Sequence, residues 1–300
     1  MLKYGTTPIH VGLNAPTQHQ IPMPTIKALL AQATQNLNAS SGSPALDAEV
    51  ILCHVLQKNR SYLRAWCDNT LTETEQEQFW QLCRHRQQGH PIAYLTGQRE
   101  FWSRDFIVTP DVLIPRPDTE LLIELSLALV AHDAPGPILD LGTGSGIIAI
   151  ILAAERPNAH VTATDFSPKA LAVAQQNAAR HHLNNIGFYH SNWFADLPPQ
   201  RFQLIVSNPP YIDPQDPHLH QGDVRFEPDS ALIAADHGLQ DIKTIVATAR
   251  HWLSEEGYLL IEHGYDQEAA VQAIFKASGY QDVRTHKDLS GQARVTGGQT

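Results

Sequence analysis

The sequence is poor in several residue types, and each shortage excludes a class of protein. It has only 3 cysteines in 300 residues, an odd number without the pairing of a disulfide-stapled secreted domain or the spacing of metal ligands. This usage predicts a reducing, cytoplasmic location. His218-x-His220 supplies half of a metal site, but no third ligand is identifiable, so a solvated pair of loop histidines is the favoured interpretation and no bound metal is expected.

Basic residues and long apolar runs are also scarce. The chain has 21 Lys and Arg against 31 Asp and Glu, a net charge of −10, whereas proteins that bind nucleic acid neutralise phosphates with a basic surface. Free duplex DNA is therefore not the expected substrate. No apolar run approaches the roughly 20 residues of a membrane-spanning helix, and the N-terminus lacks the apolar core of a signal peptide. We expect a soluble protein without a membrane partner.

What the chain does contain predicts two folded domains. Its hydrophobic fraction, 42% of 300 residues, is enough for one sizeable core and a smaller one. Strands and helices alternate after residue 118, which predicts an α/β domain with a doubly wound parallel sheet. The expected segments are a disordered extension at 1–22, a helical substrate-recognition domain at 23–90, a β-hairpin linker at 91–117 and the α/β domain at 118–300.

The helical domain is predicted from periodicity and capping signals. Apolar residues recur at helical spacing from Ile26 to Leu37. Ser43-Pro44 offers an N-cap followed by a proline at the first helical position, and Thr72-x-x-Glu75 is a capping box. The residues before position 23 show no such period and are rich in Pro, Gln, Thr and His, which favours disorder.

A glycine-rich turn opens the α/β domain. The apolar run Ile138-Leu139 is followed by Asp140-Leu141-Gly142-Thr143-Gly144-Ser145-Gly146 and then by a helical pattern. Glycines let a ligand approach the backbone, and the start of the helix presents free N–H groups. The dinucleotide fingerprint would need its third small residue one position later. We therefore interpret the turn as a cofactor-binding loop, with a tight strand-to-helix turn as the alternative.

The next two strands supply candidates for an adenosyl site. Asp165 ends the second strand, about twenty residues after the first glycine, where doubly wound sheets bind ribose hydroxyls. An exposed acid that caps the following helix, near Ser167-Pro168, is the alternative. Trp193 follows the third strand and is a candidate for one face of the adenine, although a tryptophan here also suits the core.

The segment Ser207-Asn208-Pro209-Pro210-Tyr211 follows the apolar run 202–206. Paired prolines stop the strand and fix the backbone carbonyls beside Asn208. A carboxamide at the end of a buried strand accepts and donates hydrogen bonds without carrying charge, which suits a planar N–H donor. A proline turn without further function is the alternative.

Together these motifs resemble class I S-adenosylmethionine methyltransferases of the NPPY type. Longer strings make the resemblance more specific: Pro91-Ile-Ala-Tyr-Leu-Thr-Gly97, Glu100-Phe101, Leu113-Ile-Pro-Arg-Pro-Asp-Thr-Glu120 and Arg225-Phe-Glu-Pro228. They are similar to the bacterial peptide chain release factor glutamine N5-methyltransferases (PrmC/HemK type) over about residues 23 to 296. Residues 1–22 depart from the family pattern, which would begin near Met23.

The resemblance implies a class I methyltransferase fold and methyl transfer from S-adenosylmethionine to the glutamine of the Gly-Gly-Gln motif in class 1 release factors. The amide nitrogen needs acceptors for its two N–H bonds, assigned to the Asn208 side-chain oxygen and the Pro209 carbonyl. The expected catalytic residues are Asn208, Pro209 and Tyr211. The expected substrate contacts are Asn208, Pro209, Pro210, Tyr211 and Glu227. The expected cofactor contacts are Asp140, Gly142, Thr143, Gly144, Ser145, Gly146, Asp165, Trp193, Asn208 and Phe101.

Several of these residues have structural alternatives. Tyr211 is expected to pack on the amide plane of the substrate, or else in the core. Phe101 and Trp193 are expected to shield the cofactor, but both suit a core. Glu227 is expected to shape the substrate side, although Glu-Pro also ends loop elements.

Two other functions remain open from the sequence. The same Asn-Pro-Pro-Tyr geometry holds the amino group of a flipped adenine or cytosine in nucleic-acid methyltransferases. A non-enzymatic binding module is the second alternative. Finally, Gly297-Gly298-Gln299 matches the target tripeptide of the family; we expect a chance match in a frayed C-terminal tail.

Overall fold

The computed structural model describes residue 1 and residues 23–300. The predicted disordered extension, apart from Met1, lies outside the described residues. Within the part that is described, no helix is long and apolar enough to cross a membrane.

The N-terminal part of the described chain is helical. Its helices pack around one apolar cluster that includes Leu29, Leu52 and Phe79. The helices are α1 (Ile26–Leu37), α2 (Pro44–Leu56), α3 (Arg60–Ala65), α4 (Glu73–Gln87) and α5 (Ile92–Thr96).

The capping signals of this region are confirmed with one exception. Thr72 and Glu75 form the predicted capping box at the start of α4. Pro44 occupies the first turn of α2 as expected, but the Ser43 side chain does not cap the helix. Its hydroxyl instead donates to Asp47 Oδ1 at 3.2 Å, because a carboxylate one turn into the helix is the stronger acceptor.

The predicted hairpin is present, but it is shorter than the segment 91–117. Strands β1 (Gln98–Phe101) and β2 (Arg104–Ile107) pair antiparallel. Trp102 and Ser103 form the two-residue turn with φ of 54° and 56°, the left-handed conformation that suits a hairpin of this length. The first part of the segment is α5 rather than a strand, because Ile92 to Thr96 form one helical turn that ends at Gly97 in a left-handed conformation.

The rest of the chain forms a seven-stranded sheet with the order β5-β4-β3-β6-β7-β9-β8. All neighbouring pairs are parallel except those of β9, which is antiparallel to β7 and β8. The helices are α6 (Thr119–Leu129), α7 (Ile147–Glu155), α8 (Pro168–Arg180), α9 (Ala235–Gly238), α10 (Gln240–Ala249) and α11 (Glu268–Ala277). The strands are β3 (Ile138–Leu141), β4 (Val161–Asp165), β5 (Ile186–His190), β6 (Phe202–Ser207), β7 (Leu253–Glu262), β8 (Gln281–Lys287) and β9 (Ala293–Gln299).

Apolar clusters cover both faces of this sheet. One contains residues of α6 and α7, and the other contains residues of α10 and α11. The chain leaves β3 toward β4 on one side and later returns to β6 on the other, so the strand order reverses beside β3. In doubly wound sheets, a crevice opens at the carboxyl ends of the strands at such a switch point. The predicted α/β fold class is confirmed.

The C-terminal Gly-Gly-Gln tripeptide lies in a strand, so the expected frayed tail was wrong. Gly297 and Gly298 are buried in β9, where a Cβ on Gly298 would lie 2.9 Å from Tyr280 and 3.0 Å from Phe275. Gln299 pairs with Tyr258 near the middle of β7, four residues before Glu262 at its carboxyl end. Gly298 has no room for a side chain because Phe275 of α11 packs on it, whereas a Cβ on Gly297 would lie 2.5 Å from Leu260 of β7. Gln299 Nε2 donates to the carbonyl of Glu256, away from the carboxyl end of β7.

Candidate active site

A cavity of about 340 Å³ opens at the carboxyl ends of β3, β4, β5 and β6. Its volume lies in the range of small-molecule sites. It brings together most of the residues that the sequence singled out on four separate segments. Of the predicted site residues, those that line it are Gly142, Thr143, Gly144, Ser145, Asp165, Trp193, Asn208 and Pro210.

The three glycines of the loop after β3 have different surroundings, although all three have positive φ. A Cβ on Gly142 would lie 3.4 Å from the Trp193 ring, and a Cβ on Gly144 would meet no atom within 4 Å. A Cβ on Gly146 would lie 3.0 Å from both the Ala174 Cβ and Ile150 Cδ1. Gly144 therefore leaves open space in the cavity, whereas Gly146, which is absent from the lining, allows α7 and α8 to pack.

Asp140 lies beneath the loop and is fully buried. Its Oδ2 accepts hydrogen bonds from Thr143 Oγ1 at 2.6 Å and from Ala149 N at 3.2 Å, while its Oδ1 has no partner. Burial raises the pKa of Asp140 to about 7, against the effect of these hydrogen bonds. Asp140 holds the loop from below, and the structure does not place it among the residues that line the cavity.

Asp165 ends β4 and joins the glycine loop to the next helix. Its Oδ2 accepts from Gly144 N at 2.8 Å and its Oδ1 accepts from Ser167 N at 2.8 Å. The cap of α8 is Ser167, whose hydroxyl accepts from Ala170 N, so the helix does not depend on Asp165 for its cap. Burial raises the pKa of Asp165, and the two backbone hydrogen bonds oppose that rise.

Two aromatic residues flank the same part of the cavity. Trp193 has a φ of 53°, and its carbonyl accepts from Ser191 Oγ at 2.9 Å, which fixes the tight turn after β5. Phe166 also lines the cavity although it is 68% exposed. Sequence reasoning missed Phe166; the signal was a large apolar residue directly after the acid that ends β4.

Asn208 lies one residue beyond β6 and lines the cavity. Its Nδ2 donates to Thr119 Oγ1 at 3.2 Å, at the start of α6. Because the amide nitrogen is directed to Thr119, the other end of the carboxamide, Oδ1, is free to accept from a ligand.

Tyr211 and Pro209 are not among the residues that line the cavity. The Tyr211 ring packs against the apolar cluster beneath β6 and β7, and its hydroxyl donates to Glu262 Oε1 at 3.3 Å. The Tyr211 carbonyl accepts from Gln267 Nε2 at 3.0 Å. These contacts hold the backbone after Asn208 from behind.

Glu227 and Arg116 form an ion pair at another side of the cavity. The Glu227 side chain is buried, forms an ion pair with Arg116, and accepts from Ile114 N at 3.0 Å. Burial raises the pKa of Glu227, while Arg116 opposes the rise. Arg116 lines the cavity and Glu227 does not. Arg116 belongs to one of the strings quoted above, but the sequence indicated no role for it.

The long segment between Ile212 and Gly238 joins the cavity to the helical domain. Arg86 of α4 contacts Asp47 at 2.6 Å and Asp223 of this segment at 3.0 Å. Arg225 donates to the carbonyl of Gln88 at 2.9 Å. Further along, the segment reaches the cavity, which it lines with Pro228, Ser230 and Ala231.

Phe101 lies apart from the residues brought together here. It is 3% exposed and belongs to the apolar core beneath the hairpin, and it is not among the lining residues. Across the described residues, no group of three or more His, Cys, Asp and Glu is arranged to hold a metal ion. His218 contacts Asp216 at 2.7 Å in an exposed turn.

Residues 28–97 match the PrmC N-terminal domain, and residues 118–223 match the methyltransferase small domain. A methyltransferase structure from Pyrococcus furiosus aligns with a TM-score of 0.50 at 17% identity, over 66% of this chain and 89% of that one. That likeness supports the fold alone.

Close relatives identify the family. The release factor glutamine methyltransferase of Vibrio cholerae is 51% identical over 277 residues, which is 92% of this chain and 96% of the relative. The enzyme of that name from Escherichia coli is 48% identical over 270 residues, 90% of this chain and 97% of the relative. This chain belongs to the release factor glutamine methyltransferase family.

Proposed function

We propose that this protein transfers a methyl group from S-adenosylmethionine to the side-chain amide nitrogen of the glutamine in the Gly-Gly-Gln motif of class 1 peptide chain release factors. The observation that carries the proposal is the uncharged Asn208 carboxamide, which opens onto the same cavity as the glycine loop and Asp165. The names of the relatives support the choice of substrate. The proposed location is the cytoplasm, where release factors act.

The residues around the glycine loop fit S-adenosylmethionine. Gly144 leaves space at the backbone where a side chain would stand. Asp165 fits the ribose hydroxyls, and Phe166 and Trp193 offer apolar surfaces for the adenine. Asp140, which lies beneath the loop and does not line the cavity, has a buried oxygen without a partner, which a buried water would satisfy.

The protein's own contribution is orientation rather than strong base catalysis. When bound, S-adenosylmethionine supplies a methyl group already activated by its positively charged sulfur. The acceptor amide is a weak nucleophile, since its nitrogen lone pair is delocalised into the carbonyl. We propose that Asn208 Oδ1 and the Pro209 carbonyl accept the two amide N–H bonds and hold the nitrogen in line for transfer, as positioning requires.

Recognition of a whole release factor needs a second surface. A carboxamide site by itself discriminates little among the many glutamines of a cell. The helical domain and the segment 212–238 are joined by Arg86 and Arg225. We propose that they form this second surface, beside the entrance to the cavity.

The test is transfer of a tritiated methyl group to candidate substrates at equal concentration, with the labelled site mapped by mass spectrometry. We expect the Gly-Gly-Gln glutamine of an intact release factor to be labelled, with free glutamine and short peptides much poorer and duplex DNA unlabelled. A release factor whose Gly-Gly-Gln glutamine is replaced by asparagine is the matched control. Label on DNA, or equal label on any glutamine peptide, would contradict the proposal.

A further inference from the structure

Arg116 is the only basic side chain that lines the cavity in the part of the chain that the structure describes. The other charged residues of the lining are the carboxylates Asp111, Asp165 and Asp241. Asp111 contacts Lys169 at 3.3 Å, and Asp165 accepts from two backbone N–H groups. One cation among these acids points to a ligand with a negative group of its own.

A buried carboxylate holds the Arg116 guanidinium from behind. Nη2 of Arg116 donates to Glu227 Oε1, and the two side chains form an ion pair. The second oxygen of Glu227, Oε2, accepts from Ile114 N at 3.0 Å. The Glu227 side chain has an exposure of 0%, whereas that of Arg116 is 33% exposed. Glu227 is therefore satisfied on both oxygens, and Arg116 is fixed at one end while it remains open to the cavity.

Most donors of the guanidinium are available to a ligand. An arginine side chain has five N–H donors and no acceptor. Among the described residues, Nη2 makes the ion pair with Glu227, and neither Nε nor Nη1 donates a hydrogen bond. A planar guanidinium with free N–H groups matches the geometry of a carboxylate, which it binds more strongly than a neutral acceptor.

Arg116 lies close to the proposed acceptor site along the chain of contacts that opens α6. Its carbonyl accepts from Thr119 N at 3.1 Å, and the Thr119 hydroxyl accepts from Asn208 Nδ2 at 3.2 Å. In S-adenosylmethionine, the sulfur that presents the methyl group to the acceptor also carries the methionine chain. The α-carboxylate is therefore only a few bonds away from the place where Asn208 holds the acceptor.

Only one of the two ligands in the proposed reaction carries an anion. S-adenosylmethionine has its α-carboxylate, whereas a Gly-Gly-Gln segment has no charged group. We infer that Arg116 binds the α-carboxylate of S-adenosylmethionine, and that Glu227 is a positioning residue that holds the guanidinium for it. This inference rests on the proposed function.

Glu227 also offsets the charge of the guanidinium. S-adenosylmethionine carries positive charges at its sulfur and at its α-amino group, and an unpaired arginine beside them would repel both. The ion pair with Glu227 balances the arginine charge and leaves N–H donors for the carboxylate. The ligand's anion can thus be bound without making the cavity positive.

The test compares two ligands that differ in this carboxylate, S-adenosylmethionine and decarboxylated S-adenosylmethionine, by calorimetry without release factor. We expect the wild type to bind the first at least about tenfold more tightly, as for charge-assisted hydrogen bonds. Arg116→Met removes the guanidinium, and its preference between the two ligands should fall to within about threefold. Arg99→Met, at an exposed position of β1, is the matched control and should keep the wild-type preference.

A second variant guards against a loss of folding. Arg116→Met leaves Glu227 buried without its cation, which is strongly destabilising in proteins. Arg116→Met combined with Glu227→Gln leaves no unpaired charge, and the glutamine oxygen can still accept from Ile114 N. The preference of this double variant should also lie within about threefold. Both ligands are measured on the same protein, so a fraction of unfolded molecules affects both alike.

The role of Glu227 has its own measurement. Glu227→Gln leaves the Arg116 charge unbalanced beside the ligand. It should weaken S-adenosylmethionine at least about threefold more than S-adenosylhomocysteine, which has no positive charge on sulfur. Equal weakening of these two ligands would overturn the charge-balancing role of Glu227, since a purely structural defect does not distinguish them.

The outcomes separate this inference from the proposed function. A wild-type protein that binds S-adenosylmethionine but does not methylate release factor would contradict the function, whereas the carboxylate assignment is decided by the ligand preference. A tenfold preference that persists in Arg116→Met would overturn the assignment and leave the function standing. A persisting preference together with a raised KM for release factor would place Arg116 on the acceptor side instead, and would overturn the assignment as well.

Discussion

The glycine loop gives a sharp test of how the site is built, since two of its glycines differ in what surrounds them. Gly146→Ala adds a methyl group 3.0 Å from Ala174 Cβ and from Ile150 Cδ1, whereas Gly144→Ala adds one with no atom within 4 Å. Both residues have positive φ, so both alanines suffer a backbone penalty of about 1–2 kcal/mol. Only Gly146→Ala also overpacks the contact between α7 and α8, at about 1–3 kcal/mol more.

Thermal melting should therefore rank the two variants. The extra 1–3 kcal/mol corresponds to a Tm of Gly146→Ala about 2–12 °C below that of Gly144→Ala, at about 2–4 °C per kcal/mol for a chain of this size. Gly42→Ala is the control, because Gly42 has no positive φ and its added methyl group meets nothing within 4 Å. We expect its Tm to stay near that of the wild type.

Affinity for S-adenosylmethionine should rank Gly144→Ala and Gly146→Ala in the opposite order. The methyl group of Gly144→Ala occupies space in the cavity and should weaken binding by about tenfold or more, equivalent to about 1.4 kcal/mol. Gly146→Ala, measured by calorimetry well below its Tm, should bind within about threefold of wild type. Equal melting temperatures, or a larger affinity loss in Gly146→Ala, would refute this division between a packing glycine and a ligand glycine.

Four further predictions concern the other groups of the site. Asp165→Asn should weaken S-adenosylmethionine binding in calorimetry by about tenfold to two-hundredfold, as for loss of a charged hydrogen-bond partner of about 1.5–3 kcal/mol; Asp133→Asn, in an exposed loop, is its control. Asn208→Ala should lower kcat by about a hundredfold with cofactor affinity within severalfold, and normal turnover would exclude it from the acceptor site. Arg225→Ala should raise the KM for release factor but not for S-adenosylmethionine, because it loosens the segment that joins the two domains; equal effects on both would count against a docking role. Burial raises the pKa of Glu262 to about 7, so at pH values between the ordinary pKa of a glutamate and 7 the folded protein binds a proton that the unfolded chain has lost. The free energy of unfolding, measured by chemical denaturation, should therefore fall as pH rises through this range to about 7, and it should fall less in Glu262→Gln.

The main elements of the cavity were predictable because each is determined by one short stretch of sequence. An apolar strand, a turn and a helix follow one another within about a dozen residues at the glycine loop and again around Asp165. Alternation of strands and helices predicts a parallel sheet, and in such a sheet the carboxyl ends of the strands lie at one edge. The convergence of the glycine loop, Asp165, Trp193 and Asn208 on one cavity follows from those two facts.

Features decided by distant residues were not predictable in this way. Phe101 follows Glu100 in a recognisable string, but only the packing of the hairpin against the core shows that its side chain is away from the cavity. The Gly-Gly-Gln at 297–299 looked like a loose tail, and the cross-strand pairs with Tyr258 and Leu259 make it part of the sheet. Neither result depends on the local sequence, because strand pairing and hairpin docking are set by residues far away in the chain.

Three acidic residues at or next to the carboxyl ends of apolar strands show how the same local pattern leads to different roles. Asp140, Asp165 and Glu262 each follow a buried run in β3, β4 or β7. Asp165 lines the cavity, with its oxygens bonded to the backbone on either side. Asp140 and Glu262 are fully buried. Asp140 accepts from the hydroxyl of Thr143, which lines the cavity, and Glu262 accepts from the hydroxyl of Tyr211, which lies behind it. An acid at the end of a buried strand therefore marks the edge at which a site forms, and its depth decides whether it faces the cavity or supports the residues around it.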